Sequence, residues 1–303
     1  MRVKLECPIN FLSVKDVENL LAPRQMCLSD EDADVIIVNP GTDKFLDWDH
    51  FSQYENLKVV GTPSTGTNHI DVKSLKDNGI SVVCLLDDKD SLENIHASAE
   101  FTWIHVMNLM RKFSKAIDSV DDWRSDENEL SLRSNELFGK VIGIVGMGRI
   151  GSKIAKYARA FGMSVRYYDP YVKKDNLVRI QNLSQLSQCD VITINCVLNS
   201  ETENLITKGV WDDIKPGTIV INTSRGEVVD ETYVKNLIDK KGILYGADVL
   251  QGEQDLTNLK KSPLYLLSKT SNRVVITPHV AGATKESQTK ALKYILDLSR
   301  ASI

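Results

Sequence analysis

The sequence predicts an α/β protein built on doubly wound parallel sheets, and three observations predict it. Short β-branched runs alternate with stretches of helical apolar spacing along most of the 303 residues. Residues 140–171 condense that alternation into a buried strand, a glycine turn, an amphipathic helix, a second strand and a closing acidic residue. The length fits two domains of about 150 residues each.

Within residues 1–100, Val35–Val38, Leu57–Gly61 and Ile80–Cys84 read as strands. Asp71 to Asn78 reads as a short helix, capped by Asp71 and stopped near Gly79. Residues 97–113 are apolar on most sides at helical spacing, which predicts a helix buried between domains or in a subunit interface. Residues 114–138 are polar and acidic, with Trp123 as their one large anchor. Strand candidates then recur at 141–146, 165–169, 191–195, 218–223, 243–249 and 274–277, enough for a full doubly wound sheet. A last helix is expected over about 284–301.

Hydrophobic residues make up 42% and charged residues 26%, a globular composition. A net charge of −4 argues against a nucleic-acid surface spread over the whole protein. No apolar run reaches the roughly 18 residues of a membrane span, and the N-terminus has no signal-peptide core. Cys7, Cys27, Cys84, Cys189 and Cys196 form no C-x-x-C pair. They read as small buried hydrophobes in a reducing cytoplasm, and no metal site is expected.

The turn Gly146-Met-Gly-Arg-Ile-Gly151 has the glycine spacing that lets a backbone approach a pyrophosphate at a helix start. Its context of preceding strand and following helix makes NAD the expected cofactor. Asp169, 18 residues after Gly151, suits a ribose 2′-hydroxyl and repels a 2′-phosphate. Lys173 and Lys174 lie near enough to oppose that preference, or stand as solvated loop charges.

Three later segments place reactive side chains after strands: Arg225 in Ile221–Asp230, Asp248 and Glu253 in Gly246–Glu253, and His279 in Val274–Gly282. In an open α/β sheet such loops line the ligand crevice. A guanidinium binds a carboxylate in bidentate fashion, an imidazolium protonates a carbonyl as hydride arrives, and a carboxylate holds the ring charged. Taken singly, Arg225 reads more readily as a surface ion pair, Glu253 as a solvated loop acid and His279 as a helix cap or satisfied core group.

Gly61–Asp71, Ser98–Phe101, Trp123, Glu136–Gly146, Asn222–Gly226 and Thr277–Gly282 together resemble the D-isomer-specific 2-hydroxyacid dehydrogenases over nearly the whole chain. The resemblance implies a Rossmann NAD-binding domain at residues 99–282, inserted into a flavodoxin-like substrate domain of residues 1–98 plus 283–303, with a hinged cleft between them. It implies Arg225, Glu253 and His279 as the catalytic set, with Arg225 also binding substrate and His279 as acid/base. Thr65 and Gly66 correspond to the loop that holds the substrate carboxylate. Gly146, Gly148, Arg149, Ile150, Gly151, Asp169, Cys196, Thr223, Ser224, Asp248 and Gly282 fall on the cofactor side. The expected partners are a small 2-hydroxy or 2-oxo acid and a second copy in a homodimer.

Three departures stand out. Asn195-Cys-Val-Leu-Asn199 replaces a frequent His-x-Pro, so nicotinamide contacts there rest on backbone. Gly246-Ala-Asp-Val-Leu is shorter than usual, so the assignment of Glu253 needs a small gap, with Gln254 as neighbour. Asn39 stands where phosphoglycerate enzymes carry arginine; Lys44 is a substitute cation, but the balance favours an unphosphorylated acid. An NADH-sensing corepressor and a formate or phosphite dehydrogenase are the alternative members of the same fold.

Overall fold

The computed structural model describes residues 1–6, 12–39, 45–67, 69–123 and 125–303. Lys44 lies outside them, and so does Cys7. The chain divides into two compact units, Met1–Ile95 with Ala283–Ile303, and His96–Gly282.

In the first unit, β1 (Arg2–Glu6), β2 (Cys27–Leu28), β3 (Val35–Val38), β4 (Val59–Thr62) and β5 (Ser81–Cys84) form one parallel sheet. Among the described residues its order is β2-β1-β3-β4-β5, the flavodoxin-like arrangement. Every side chain of β3 is buried. Val35 and Ile37 enter one core and Ile36 and Val38 the other, as the two-residue period of a strand covered on both faces requires. Asp71 caps its helix by accepting from the Ser74 amide at 2.9 Å, and Gly79 follows it at φ +79°. The last helix, Lys285–Ala301, is capped by Thr284 and lays Leu292, Ile295 and Leu296 on the core of this unit.

In the second unit, β6 (Val141–Val145), β7 (Ser164–Tyr168), β8 (Val178–Arg179), β9 (Val191–Ile194), β10 (Ile219–Asn222), β11 (Leu244–Ala247) and β12 (Val274–Ile276) are likewise all parallel. The order β12-β11-β10-β9-β6-β7-β8 reverses direction between β6 and β9. That switch point is where a doubly wound sheet opens its ligand crevice. The two faces carry separate cores. Ile142, Ile144, Ile219 and Ile221 pack with the helices Ala97–Arg111 and Arg149–Ala160. Ile192, Ile194, Val220 and Tyr245 pack with the helix Glu231–Lys241 and Trp211 on the other face.

Two expectations change. Trp123 is not a buried anchor: it is 76% exposed, between the helices Phe113–Asp118 and Asp126–Leu132. Cys27 is exposed rather than a buried hydrophobe. Among the described residues, no helix is long and apolar enough to cross a membrane, and no cluster of side chains suits a metal ion.

Candidate active site

The glycine turn leaves the carboxyl end of β6 beside the switch point. Gly146 has φ +89°, and a Cβ there would stand 2.8 Å from the Cys196 amide, so only glycine lets the turn approach the end of β9. Gly151 is equally constrained, with the Gly146 carbonyl oxygen 2.1 Å from its would-be Cβ. Gly148 differs: among the described residues no heavy atom beyond its chain neighbours lies within 4 Å of that position. Protein packing does not demand glycine there, whereas close approach of a ligand does. Arg149 and Ile150 open the following helix, and no side chain caps its N-terminus. Its first amides therefore keep the geometry that suits a diphosphate. These features fit a dinucleotide.

Asp169 is buried at the end of β7. Its Oδ1 accepts from the Tyr171 and Val172 amides, both at 2.8 Å, and its Oδ2 from Met147 at 2.7 Å. The second oxygen, with one donor, retains capacity for a ribose hydroxyl. Cys196 presents backbone to the turn, and burial pushes its thiol up to about 11, so it is not a thiolate at neutral pH.

The reactive side chains stand on the loops after β10, β11 and β12. After β10, the buried Asn222 accepts from the Ser224 amide and hydroxyl at 3.0 and 2.8 Å, and donates to the Arg225 carbonyl at 2.9 Å. Thr223 is held by the Thr102 hydroxyl at 2.6 Å. Arg225 is half-buried and donates to the Ser224 carbonyl at 2.7 Å. Burial pulls its guanidinium down from its ordinary value, opposed by Glu253 and Glu227. Gly226 follows because a Cβ would meet the Leu250 carbonyl carbon at 2.0 Å. The loops of β10 and β11 are thereby pressed backbone to backbone.

After β11 the chain makes a turn whose three successive amides each meet a carboxylate. Leu250 donates to Glu253 at 3.0 Å, Gln251 to Glu231 at 2.8 Å and Gly252 to Glu227 at 3.3 Å. One oxygen of Glu253 is thus fixed by its own turn, and the other lies 2.5 Å from His279 Nδ1. Gln254 lies next along the chain and is exposed. The hydrogen bond to Glu253 raises the pKa of His279 above its ordinary value. Burial and the nearby Arg225 guanidinium oppose that rise, and Asp248 assists it. With Nδ1 engaged, Nε2 is the free ring nitrogen on a side chain that is half exposed.

Asp248 is almost fully buried and organises the loop of His279. Its carbonyl accepts from the His279 amide at 2.9 Å, its Oδ1 from Val280 at 3.0 Å and its Oδ2 from Ala281 at 2.7 Å. Thr277 adds its hydroxyl proton to Oδ1 at 2.6 Å. His105 Nε2 lies 3.1 Å from that hydroxyl oxygen and must be its donor, because the only hydroxyl proton goes to Asp248. Burial lowers the pKa of His105, so it stays neutral. Among the described residues, chain neighbours aside, only the Ser98 hydroxyl comes within 4 Å of a would-be Cβ at Gly282, at 3.9 Å.

Asn222 and Thr277 open two of the segments that carry the resemblance, whereas Thr102 and His105 carry this framework without any catalytic signature in the sequence. The polar residues on the otherwise apolar stretch 97–113 were the available signal. Thr65 and Gly66 lie in the first unit, in the loop after β4, where the Gly66 amide donates to Ser64 Oγ at 3.1 Å.

The comparisons agree with this geometry. Residues 103–281 match the family described as D-isomer specific 2-hydroxyacid dehydrogenase, NAD binding domain. D-3-phosphoglycerate dehydrogenase of Bacillus subtilis is 33% identical over 249 residues, covering 79% of this chain and 44% of its own. That of Methanocaldococcus jannaschii is 31% identical over 268 residues, covering 86% and 48%. This chain spans about half the length of these two relatives. A formate dehydrogenase of Chaetomium thermophilum is 29% identical, covering 94% of this chain and 78% of its own. A crystal structure of D-lactate dehydrogenase from Aquifex aeolicus with NAD and lactic acid is 25% identical, with a TM-score of 0.79 over 99% of this chain and 95% of that one. With its glycine turn, its sheet order and a match across more than half its length, the chain belongs to the D-isomer specific 2-hydroxyacid dehydrogenases and carries their NAD-binding domain.

Proposed function

We propose that this protein interconverts a small D-2-hydroxy acid and its 2-oxo acid with NAD. The observation that carries this reading is the Glu253–His279 pair, which shares the carboxyl rim of one sheet with Arg225 and the glycine turn. NAD supplies or accepts the hydride. Arg225 binds the substrate carboxylate and polarises the carbonyl. His279 gives its Nε2 proton to the carbonyl oxygen in reduction and takes it back in oxidation, while Glu253 stabilises the imidazolium. We assign Thr65 and Gly66 to the loop that receives the substrate carboxylate. Asn39 at the end of β3 offers no cation for a phosphate, so we favour an unphosphorylated acid even though phosphoglycerate enzymes are among the relatives.

Formate oxidation is the second reading, because a formate dehydrogenase matches along most of the chain. Glu253 as the partner of His279, with Gln254 beside it in sequence, favours the 2-oxo acid reading. We also infer a homodimer. Phe113, Ile117, Val120, Trp123, Leu130 and Phe138 are all at least 56% exposed within one stretch, more apolar surface than a lone domain usually leaves to water. Thiols at Cys84, Cys189 and Cys196 fit a reducing cytoplasm.

A panel of 2-oxo acids, phosphorylated and not, assayed with NADH and NADPH tests the reading, beside formate with NAD. Turnover of a 2-oxo acid with NADH is the expected result. NADH binding without turnover of any 2-oxo acid would sink it, and NAD reduction by formate alone would select the second reading.

A further inference from the structure

The loops that leave β7 and β9 flank the glycine turn, because β6 lies between those two strands. They also touch. The Tyr171 phenol donates to Glu201 Oε2, joining the two loops across the carboxyl end of β6.

Both partners stand on braced backbone. On the β7 side, Asp169 Oδ1 holds the Tyr171 and Val172 amides, and Arg179 donates to the Asp169 and Pro170 carbonyls at 2.7 and 2.8 Å. On the β9 side, Asn199 Oδ1 accepts from the Glu201 and Thr202 amides at 2.9 and 3.1 Å. Thr202 Oγ1 donates to the Val197 carbonyl at 2.6 Å, and the Asn204 amide to the Glu227 carbonyl at 2.8 Å. The Asp169 carboxylate also takes the Met147 amide, so the loop of Tyr171 is tied to the glycine turn. Tyr171 is nevertheless 74% exposed, so burial of its ring does not account for its position. Among the described residues, the bond to Glu201 is the hydrogen bond of its side chain.

We propose that Tyr171 and Glu201 form a clasp over the adenosine half of bound NAD and slow its release. This rests on the NAD-binding assignment of the domain. The ribose in this fold sits at the acidic residue ending the second strand, here Asp169, and the diphosphate at the glycine turn. Among the described residues nothing beyond its chain neighbours comes within 4 Å of a would-be Cβ at Gly148, and the clasp spans the strand from which that turn leaves. The tyrosine ring offers an amphipathic cover at the mouth of the crevice, and its hydroxyl fixes that cover to the opposite loop.

The test is stopped-flow release of NADH from the preloaded protein, followed by nicotinamide fluorescence. Tyr171→Phe removes one oxygen from an exposed side chain and leaves the fold intact. The NADH off-rate is expected to rise about three- to tenfold in Tyr171→Phe, the range of one hydrogen bond. Glu201→Ala is expected to match it, and the double variant to add nothing more, because the contact is lost only once. An unchanged or slower off-rate in Tyr171→Phe overturns the clasp, as does full additivity in the double variant. A wild-type chain that bound no NADH would instead sink the cofactor assignment, and the clasp with it.

Discussion

His279 Nδ1 stands 2.5 Å from Glu253 Oε1, while the other oxygen of that carboxylate accepts the Leu250 amide at 3.0 Å. The histidine is therefore oriented by a carboxylate that its own turn has immobilised. Such a pair sets both the tautomer and the charge of the ring.

A pH dependence follows. Glu253 raises the pKa of His279 above the ordinary value of about 6.5. Reduction needs the imidazolium, so kcat/KM for the 2-oxo acid should persist through neutral pH and fall as pH passes the raised value. In Glu253→Gln the descending limb should move to lower pH, with a larger loss at pH 8 than at pH 5.5. The pair's contribution to stability has the same sign: it is fully present below the unfolded pKa and lost as pH rises through the folded one. A pH–rate profile unchanged by the substitution would show that Glu253 is not the histidine's partner in solution.

Arg225→Ala should lower kcat/KM for the acid roughly 10²-fold or more, because a charge-assisted fork to the carboxylate is lost. NADH affinity, measured by fluorescence titration, should change little. Arg225→Lys keeps the charge but not the fork and should recover only part of the loss. Full activity in the alanine variant would remove Arg225 from the substrate site.

Thr277→Val removes one donor from a carboxylate that is almost fully buried. The expected cost is about 1–3 kcal/mol, read as a lower urea midpoint at unchanged slope. Turnover should fall as well, because the amides of His279, Val280 and Ala281 all rest on Asp248. A stability loss with kcat intact would mean that the loop of His279 does not depend on this network.

Light scattering of the intact chain should give twice the monomer mass. Trp123→Ser combined with Phe113→Ser should shift it toward monomer without lowering the helix content, since both side chains are already exposed within the chain. A wild-type protein monomeric at micromolar concentration would remove the dimer.

The centre of the second unit's sheet was readable because its strands there are covered on both faces and appear as continuous apolar runs, whereas β7 shows instead the alternation of a strand half exposed. Val191–Ile194 and Ile219–Asn222 are buried throughout. β1 was not among the strands read from the sequence, although it pairs with both β2 and β3. Arg2, Lys4 and Glu6 alternate with Val3 and Leu5, and only Val3 is fully buried. β2 and β8 have two residues each, too few for any period to show. In the site, the glycine turn is a local pattern and could be read directly. Glu253 required a gap because its approach to His279 depends on the turn at Leu250–Glu253, which spacing alone does not reveal. His105 and Thr102 were hidden by their setting: on a helix apolar nearly all round, a buried polar group looks like core until its partner is known, Thr277 after β12 for His105 and Thr223 after β10 for Thr102.

His279 itself has φ +52°, in the left-handed region. For a side chain with a Cβ that conformation costs about 1–2 kcal/mol, and glycine or asparagine holds it more easily. His279, the proton donor in the proposed reaction, thus occupies a position where the fold alone would favour another residue. A library of variants at this position sorted for thermal resistance would enrich glycine and asparagine, whereas one sorted for turnover would return histidine. The two demands pull apart at a single residue, and the left-handed histidine is the visible trace of that conflict.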